Sequence, residues 1–202
     1  MPYPDPFYPV VDSVAWVAWL ALLGVGTIQL RAKNLGNADA LQTVRDALEV
    51  IRGTSAKLVV NDCWRAAIEG GAQHLHLGQE DLAAADVAAI RAPGLSLGIS
   101  THDDAELENA LRVQPDYVAL GPTFPTTLKS MRFAPQGISK ITEWKKRVGQ
   151  IPLVAISGIK FEQAKEIFAA GADSIAVVSD VTQNPEPDAR VRAWLQTYAE
   201  VA

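Results

Sequence analysis

The chain is poor in cysteine, in positive charge and in long apolar runs, and each shortage removes a class of protein. One cysteine, Cys63, in 202 residues excludes an intrachain disulfide and any four-cysteine metal framework. Lys and Arg number 18 against 23 Asp and Glu, so a formal charge of −5 and a pI near 5.2 offer no basic footprint for a phosphodiester backbone. No nucleic-acid partner is expected. The most apolar stretch, Val14 to Val25, falls well short of the roughly 18–20 residues of a membrane-spanning helix. The Met1-Pro-Tyr-Pro-Asp-Pro that opens the chain has no Lys or Arg to begin a signal peptide. A cytoplasmic protein with no membrane partner is expected. What is present is ordinary globular composition: 49% apolar side chains with 20% charged ones interspersed, which excludes disorder for most of the length. That is enough chain for one well-cored domain, spanning 1–202, and too little for two generous ones.

Short β-branched apolar runs alternate without interruption with longer Ala-rich segments of mixed charge, the pattern of βαβ units. The runs predict eight strands, at Phe7–Val11, Thr27–Leu30, Lys57–Val60, His74–Leu77, Leu95–Ile99, Tyr117–Leu120, Leu153–Ile156 and Ser174–Val178. Between them the pattern predicts helices near 13–23, 38–52, 64–70, 82–91, 103–113, 137–148, 161–170 and 187–200. Gly24, Gly53, Gly70, Gly149 and Gly171 stand where helix C-termini favour a left-handed residue. Sharing 202 residues among eight units leaves about 25 each, near the lower limit for an α/β (β/α)8 TIM barrel. An open doubly wound sheet is the alternative, but Val11-Asp12-Ser13 is no Gly-rich dinucleotide turn. The one long connection, Gly121 to Gly137, follows the sixth strand, and a loop of that length in a compact barrel is more often functional than idle.

A barrel of this kind builds its active site at the C-terminal ends of its strands, and polar residues concentrate there. Strand alternation sends Gln29, Arg31 and Lys33 to one side, an amide and two cations suited to a phosphate or diphosphate; a solvated strand end is the plainer reading. Asn61-Asp62 and Gly78-Gln-Glu-Asp81 end the next two strands. Asp62 and Asp81 form the carboxylate pair that Mg²⁺ requires beside phosphate oxygens, although each is also placed to cap a helix. His74 and His76 share a strand face, and with Cys63 they raise a zinc reading that lacks any familiar ligand spacing; inward-facing, hydrogen-bonded histidines are the plainer expectation. Ser100 offers a hydroxyl at the site or a cap for the helix near Asp103. Thr126 and Lys129 lie on the long loop, where hydroxyls and a lysine can close over an anion. Ser157-Gly158 and Val178-Ser179 place small residues where backbone N–H groups can approach a phosphate.

In this order and spacing the motifs resemble the thiamine-phosphate synthase family, from about Tyr8 to Ser179. The resemblance rests on Gln29-Leu-Arg-x-Lys33, Val60-Asn-Asp62, His76-Leu-Gly-Gln-x-Asp81, Gly98-Ile-Ser100, Gly121-Pro-x-x-Pro-Thr126 with Lys129, Ser157-Gly-Ile159 and Gly171-Ala-Asp173. It implies condensation of 4-amino-2-methyl-5-hydroxymethylpyrimidine diphosphate with 4-methyl-5-(2-phosphoethyl)thiazole, giving thiamine phosphate and diphosphate. It further implies that Gln29, Arg31, Lys33 and Asn61 hold the pyrimidine diphosphate and that Asp62 and Asp81 hold Mg²⁺. Arg31, Ser100 and Lys129 would act on the pyrimidine and the departing diphosphate, and Thr126, Gly158, Val178 and Ser179 would hold the thiazole phosphate. The chain departs from the family at Leu128, where a second hydroxyl is common, at Ser157, where glycine is common, and at Cys63-Trp64.

Two other readings share the pocket. A thiazole tautomerase relative would use His76 as acid and base and would have no need of Arg31, Lys33 and the carboxylate pair, and a ligand-binding regulator would keep the pocket without turnover. The first helix is apolar nearly all round, through Trp16, Val17, Trp19, Leu20, Leu22 and Leu23, which suggests a homodimer contact or else packing against neighbouring helices.

Overall fold

A computed structural model describes residues 3–32, 35–126 and 133–201. Eight parallel strands close into a barrel in chain order: β1 (Phe7–Val11), β2 (Thr27–Leu30), β3 (Lys57–Asn61), β4 (His74–Leu77), β5 (Ser96–Thr101), β6 (Tyr117–Leu120), β7 (Leu153–Ile156) and β8 (Ser174–Val177), with β8 pairing back onto β1. The expected (β/α)8 barrel is the fold. Strand ends differ from expectation by one or two residues: β5 starts at Ser96 and runs to Thr101, and β8 ends at Val177. Asn61 stays in register with His76, so β3 runs one residue further than its apolar run.

The helices among the described residues are α1 (Val14–Leu22), α2 (Asn37–Val50), α3 (Trp64–Gly70), α4 (Gln79–Ala84), α5 (Val87–Arg91), α6 (Asp104–Arg112), α7 (Gly137–Val148), α8 (Ala164–Ala169), α9 (Ser179–Thr182) and α10 (Pro187–Val201). The single helix expected over 82–91 is two, because Asp86 breaks it and caps α5, its Oδ1 accepting the Ala89 N–H at 3.0 Å. The helix expected over 161–170 opens with a 3₁₀ turn at Phe161–Gln163. The left-handed glycine ending α3 is Gly71, at φ 82°, and not Gly70. Gly70 serves packing instead: a Cβ there would stand 2.7 Å from Val44 Cγ1 of α2. None of the helices is long and apolar enough to cross a membrane.

Alternation along each strand divides two apolar regions. Outward residues such as Val11, Ile28, Leu30, Leu75, Leu77 and Ile99 pack under the helices. The inward set is smaller and includes Tyr8, Val10, Val59, Tyr117, Ala119, Val154 and Ala176. Burying the outer layer supplies most of the hydrophobic stabilisation, at about 25 cal/mol for each Å² of apolar surface removed from water. The barrel interior is thereby left free to hold polar groups. Helix α1 packs on α2 and β2 through Val17, Leu20 and Ala21, but Leu22 is 82% exposed.

Candidate active site

One cleft of about 1130 Å³ opens at the C-terminal ends of the strands. It brings together Gln29, Arg31, Asn61, Asp62, Asp81, Ser100, Thr126, Gly158, Val178 and Ser179 from all around the barrel. Lys33 and Lys129, with Leu128, lie outside the described residues.

The first corner is built from the ends of β2, β3 and β4. Arg31 is placed at the mouth by its backbone N–H, which donates to the Val11 carbonyl at 2.7 Å. Asp62 sits at φ +63°, in the left-handed region that aspartate tolerates better than most side chains. Its own N–H donates to the His76 carbonyl at 2.9 Å, and the turn closes with Trp64 N–H on the Asp62 carbonyl at 2.7 Å. The Asp62 carboxylate accepts from the Asn61 amide and from Gly78 N–H at 3.4 Å. The capping alternatives do not describe these residues: Cys63 is the N-cap of α3, Gly78 that of α4, and neither helix has a side-chain cap. Asp81 stands in the first turn of α4.

Burial, and then the charge of Asp81, hold the Asp62 carboxyl above the ordinary carboxylate range, against the opposing pull of Gly78 N–H and Arg31. Among the described residues, two crowded carboxylates face one guanidinium and are short of positive charge. This is the donor set that suits Mg²⁺, which takes one or two carboxylates and completes its octahedron with water and phosphate oxygens. A zinc site has no such support, since no group of three His, Cys, Asp or Glu residues able to hold a metal assembles among the described residues. Burial, followed by Asp62 and Asp81, pushes the Cys63 thiol up, away from thiolate character.

Beneath this corner the barrel interior is polar. His76 Nε2 lies 2.7 Å from Ser100 Oγ and its Nδ1 lies 2.8 Å from Tyr117 Oη. Burial and the charge of Arg31 lower the His76 pKa to about 3, so its imidazole is neutral at physiological pH. A neutral ring with both nitrogens engaged inside the barrel is poorly placed to exchange protons with a substrate, which weighs against the tautomerase reading. His74 faces inward too, stacked on Tyr3 at 4.5 Å, but its Nδ1 has no hydrogen-bond partner among the described residues; burial and Lys57 lower its pKa to about 4. The expectation of a hydrogen-bonded histidine therefore holds for His76 and not for His74. Ser100 does not cap α6, because Asp103 does, accepting the Glu106 N–H at 2.9 Å.

The second corner is backbone. Thr123 N–H donates to the Ile156 carbonyl at 2.9 Å and Phe124 N–H to the Ser157 carbonyl at 3.0 Å, so the start of the β6–α7 loop lies along the end of β7. A Cβ at Gly158, φ +71°, would come 2.5 Å from the carbonyl oxygens of Phe124 and Pro125. Only glycine lets these chains approach. Ser157 takes φ +83°, which explains why glycine suits that position and means that serine is held there against its own preference. Val178 precedes α9, a four-residue helix too short to leave a period in the sequence, and α9 begins at Ser179.

Several residues in and beneath the cleft were given no role from sequence. Gln79 donates to the Ser100 carbonyl at 2.8 Å and braces the end of β5. His102, paired with Glu106 at 2.7 Å and stacked on Phe133 at 4.8 Å, forms one wall of the cleft. Tyr8 and Tyr117 support His76 from below. The signal for the tyrosines was their inward position in β1 and β6, which alone reads as core.

Comparison with known proteins gives a consistent result. The profile of the thiamine monophosphate synthase family matches residues 7–181. A thiamine-phosphate synthase of Rhizobium etli is 52% identical over 195 residues, 96% of each chain. A thiamine-phosphate synthase of Neisseria meningitidis serogroup B is 45% identical over 95% of this chain and 93% of its own. Among solved structures, a thiamine phosphate pyrophosphorylase from Pyrococcus furiosus superposes with a TM-score of 0.81 at 27% identity, over 96% of each chain.

Proposed function

The chain belongs to the thiamine monophosphate synthase family and is a transferase that forms thiamine phosphate; we propose that it does so by a dissociative displacement at the mouth of this barrel. The substrates are 4-amino-2-methyl-5-hydroxymethylpyrimidine diphosphate and 4-methyl-5-(2-phosphoethyl)thiazole. The bond between the pyrimidine methylene carbon and the diphosphate oxygen breaks, and diphosphate leaves with the electron pair. The aminopyrimidine ring carries the resulting positive charge, and the thiazole nitrogen lone pair then forms the new C–N bond. No covalent nucleophile of the protein is needed.

The observation that carries this reading is the pairing of two different anion corners on one cleft. Arg31, Asp62 and Asp81 gather at one, and glycine-shaped backbone beside Ser179 forms the other. In the proposal Gln29, Arg31, Lys33 and Asn61 hold the pyrimidine diphosphate, while Ser100 and Lys129 contact the pyrimidine and the leaving group. Thr126, Gly158, Val178 and Ser179 hold the thiazole phosphate. Asp62 and Asp81 would hold Mg²⁺, which supplies positive charge at the departing diphosphate when bound. Arg31 stabilises the same oxygens, and holding the thiazole in line removes the entropy of a bimolecular encounter. The purified protein should release diphosphate from the two substrates together, and only with Mg²⁺ present. No release at saturating Mg²⁺ from folded protein would leave a ligand-binding regulator as the better reading.

The acidic balance and the soluble, phosphorylated substrates support a cytoplasmic enzyme with no nucleic-acid or membrane partner. We extend the proposal to a homodimer through α1, whose exposed Leu22 and half-buried Trp16 and Trp19 give it no polar outer face. Light scattering at micromolar concentration should give twice the chain mass, and a monomer there removes the contact.

A further inference from the structure

Ser100 is the visible end of a buried chain of hydrogen bonds that crosses the barrel. Gln29 Nε2 donates to Tyr8 Oη at 2.7 Å, and Tyr8 Oη lies 2.8 Å from Tyr117 Oη. Tyr117 Oη lies 2.8 Å from His76 Nδ1, and His76 Nε2 lies 2.7 Å from Ser100 Oγ. The five side chains come from β2, β1, β6, β4 and β5, and all but Ser100 are buried. The ring of Tyr117 also stacks on that of His76, with centroids 5.5 Å apart, so the partners are fixed in orientation as well as distance.

Such a chain has a direction. The Gln29 amide donates to Tyr8, and a buried hydroxyl must itself find an acceptor, so the Tyr8 hydroxyl places its hydrogen on its other neighbour, Tyr117. Tyr117, having accepted, must place its hydrogen on His76 Nδ1. A neutral imidazole that accepts at Nδ1 carries its one hydrogen at Nε2, and Nε2–H then donates to Ser100 Oγ. The hydroxyl hydrogen of Ser100 is left over, and Ser100 lines the substrate cleft.

We propose that Gln29, Tyr8, Tyr117 and His76 form a one-way hydrogen-bond chain that fixes His76 as the Nε2–H tautomer and so commits Ser100 to act as a donor toward an acceptor atom of the pyrimidine diphosphate. Tyr117 and His76 are positioning residues in this account, acting through Ser100. The proposal rests on the functional reading above for its substrate, but the tautomer does not depend on that reading. Donation matters for the displacement because a hydroxyl free to turn would present lone pairs and hydrogen alike. A hydroxyl that already accepts from Nε2–H cannot turn its hydrogen back to the imidazole, so that hydrogen is left for the substrate and the site is preorganised before substrate arrives.

The test begins without substrates. The chain contains three histidines, His74, His76 and His102, so long-range ¹H–¹⁵N correlation spectra can be assigned from His74→Gln and His102→Gln proteins. The His76 pattern should be that of Nε2–H with a bare Nδ1. An Nδ1–H pattern means that the chain runs the other way and overturns the proposal, whatever the enzyme's activity. Next, Tyr117→Phe keeps the ring and removes the donor to Nδ1. It should lower kcat about tenfold, the equivalent of one hydrogen bond, with the KM for the thiazole phosphate unchanged and the His76 spectrum altered. In a Ser100→Ala background the same substitution should cost no more than a factor of two. A full tenfold loss in both backgrounds would show that Tyr117 acts through packing alone. Should Tyr117→Phe fail to fold, the tautomer in the unsubstituted protein decides. If the tautomer is Nε2–H but no diphosphate is ever released, the chain stands and the proposed reaction falls.

Discussion

Asp62→Asn should lower turnover by roughly two orders of magnitude or more, since several kcal/mol of leaving-group stabilisation are lost with the metal site and each tenfold in rate is about 1.4 kcal/mol. It should do so without weakening the fold. Burial and Asp81 hold the Asp62 carboxyl above its ordinary pKa, so at neutral pH the ionised native site is destabilised relative to the unfolded chain. That penalty is relieved as pH falls through the native pKa, and an uncharged asparagine relieves it at neutral pH. In a chelating buffer the variant should therefore melt higher than the unsubstituted protein. Asparagine is the better probe than alanine because it accepts the φ of +63°, whereas alanine there adds about 1 kcal/mol of backbone strain. Adding Mg²⁺ with diphosphate should raise the melting temperature of the unsubstituted protein and leave that of the variant unmoved. A variant that keeps its rate, or a melting temperature that still answers to Mg²⁺ and diphosphate, would take Asp62 out of the metal site.

The barrel was legible because its strands need little more than alternation to declare themselves. Most of the apolar runs have glycine, proline or aspartate at one end or both, and outward residues such as Leu75 and Leu77 alternate with inward ones such as His74 and His76. Helix boundaries were harder for a specific reason. A helix of four to six residues, such as α9 or α4, does not complete enough turns to show a period, and Asp86 interrupts what otherwise reads as one apolar face. The gathering of Arg31, Asp62, Asp81 and Ser100 in one cleft follows from the rule that strand C-terminal ends meet, so it could be expected from order alone. What could not be expected was the conformation at those ends. Nothing in the string Val60-Asn-Asp-Cys says that Asp62 takes a positive φ and thereby avoids capping α3.

The interior chain was illegible for another reason. Tyr8 and Tyr117 stand 109 residues apart, and their contact depends on how every strand between them is staggered. As single letters they are ordinary strand residues, for which the core is the default reading. Gly98 belongs to the same case. It was visible as part of the Gly98-Ile-Ser100 motif, yet its reason for being glycine lies on the neighbouring strand.

Gly98→Ala should be strongly destabilising. Gly98 pairs with His76 on one side and with Tyr117 on the other. Having no side chain, it leaves the gap across which the rings of His76 and Tyr117 stack. A Cβ at Gly98 would fall onto Cζ, Cε1 and Oη of Tyr117, a side chain that is fully buried. Overpacking of this kind costs about 3 kcal/mol, which for a chain of this length lowers the melting temperature by roughly 6–12 °C. The hydrogen bonds from Tyr117 to Tyr8 and His76 break with the ring's displacement, so activity should fall even below the temperature at which the protein melts. Shortening the neighbour separates the steric cause from a general intolerance of alanine in β5. Tyr117→Leu removes the three atoms that the new methyl meets, so in that background Gly98→Ala should lose most of its cost, although Tyr117→Leu is itself destabilising through its cavity. Additive losses in the double variant would show that the methyl clashes elsewhere and that Gly98 does not exist to seat the Tyr117 ring.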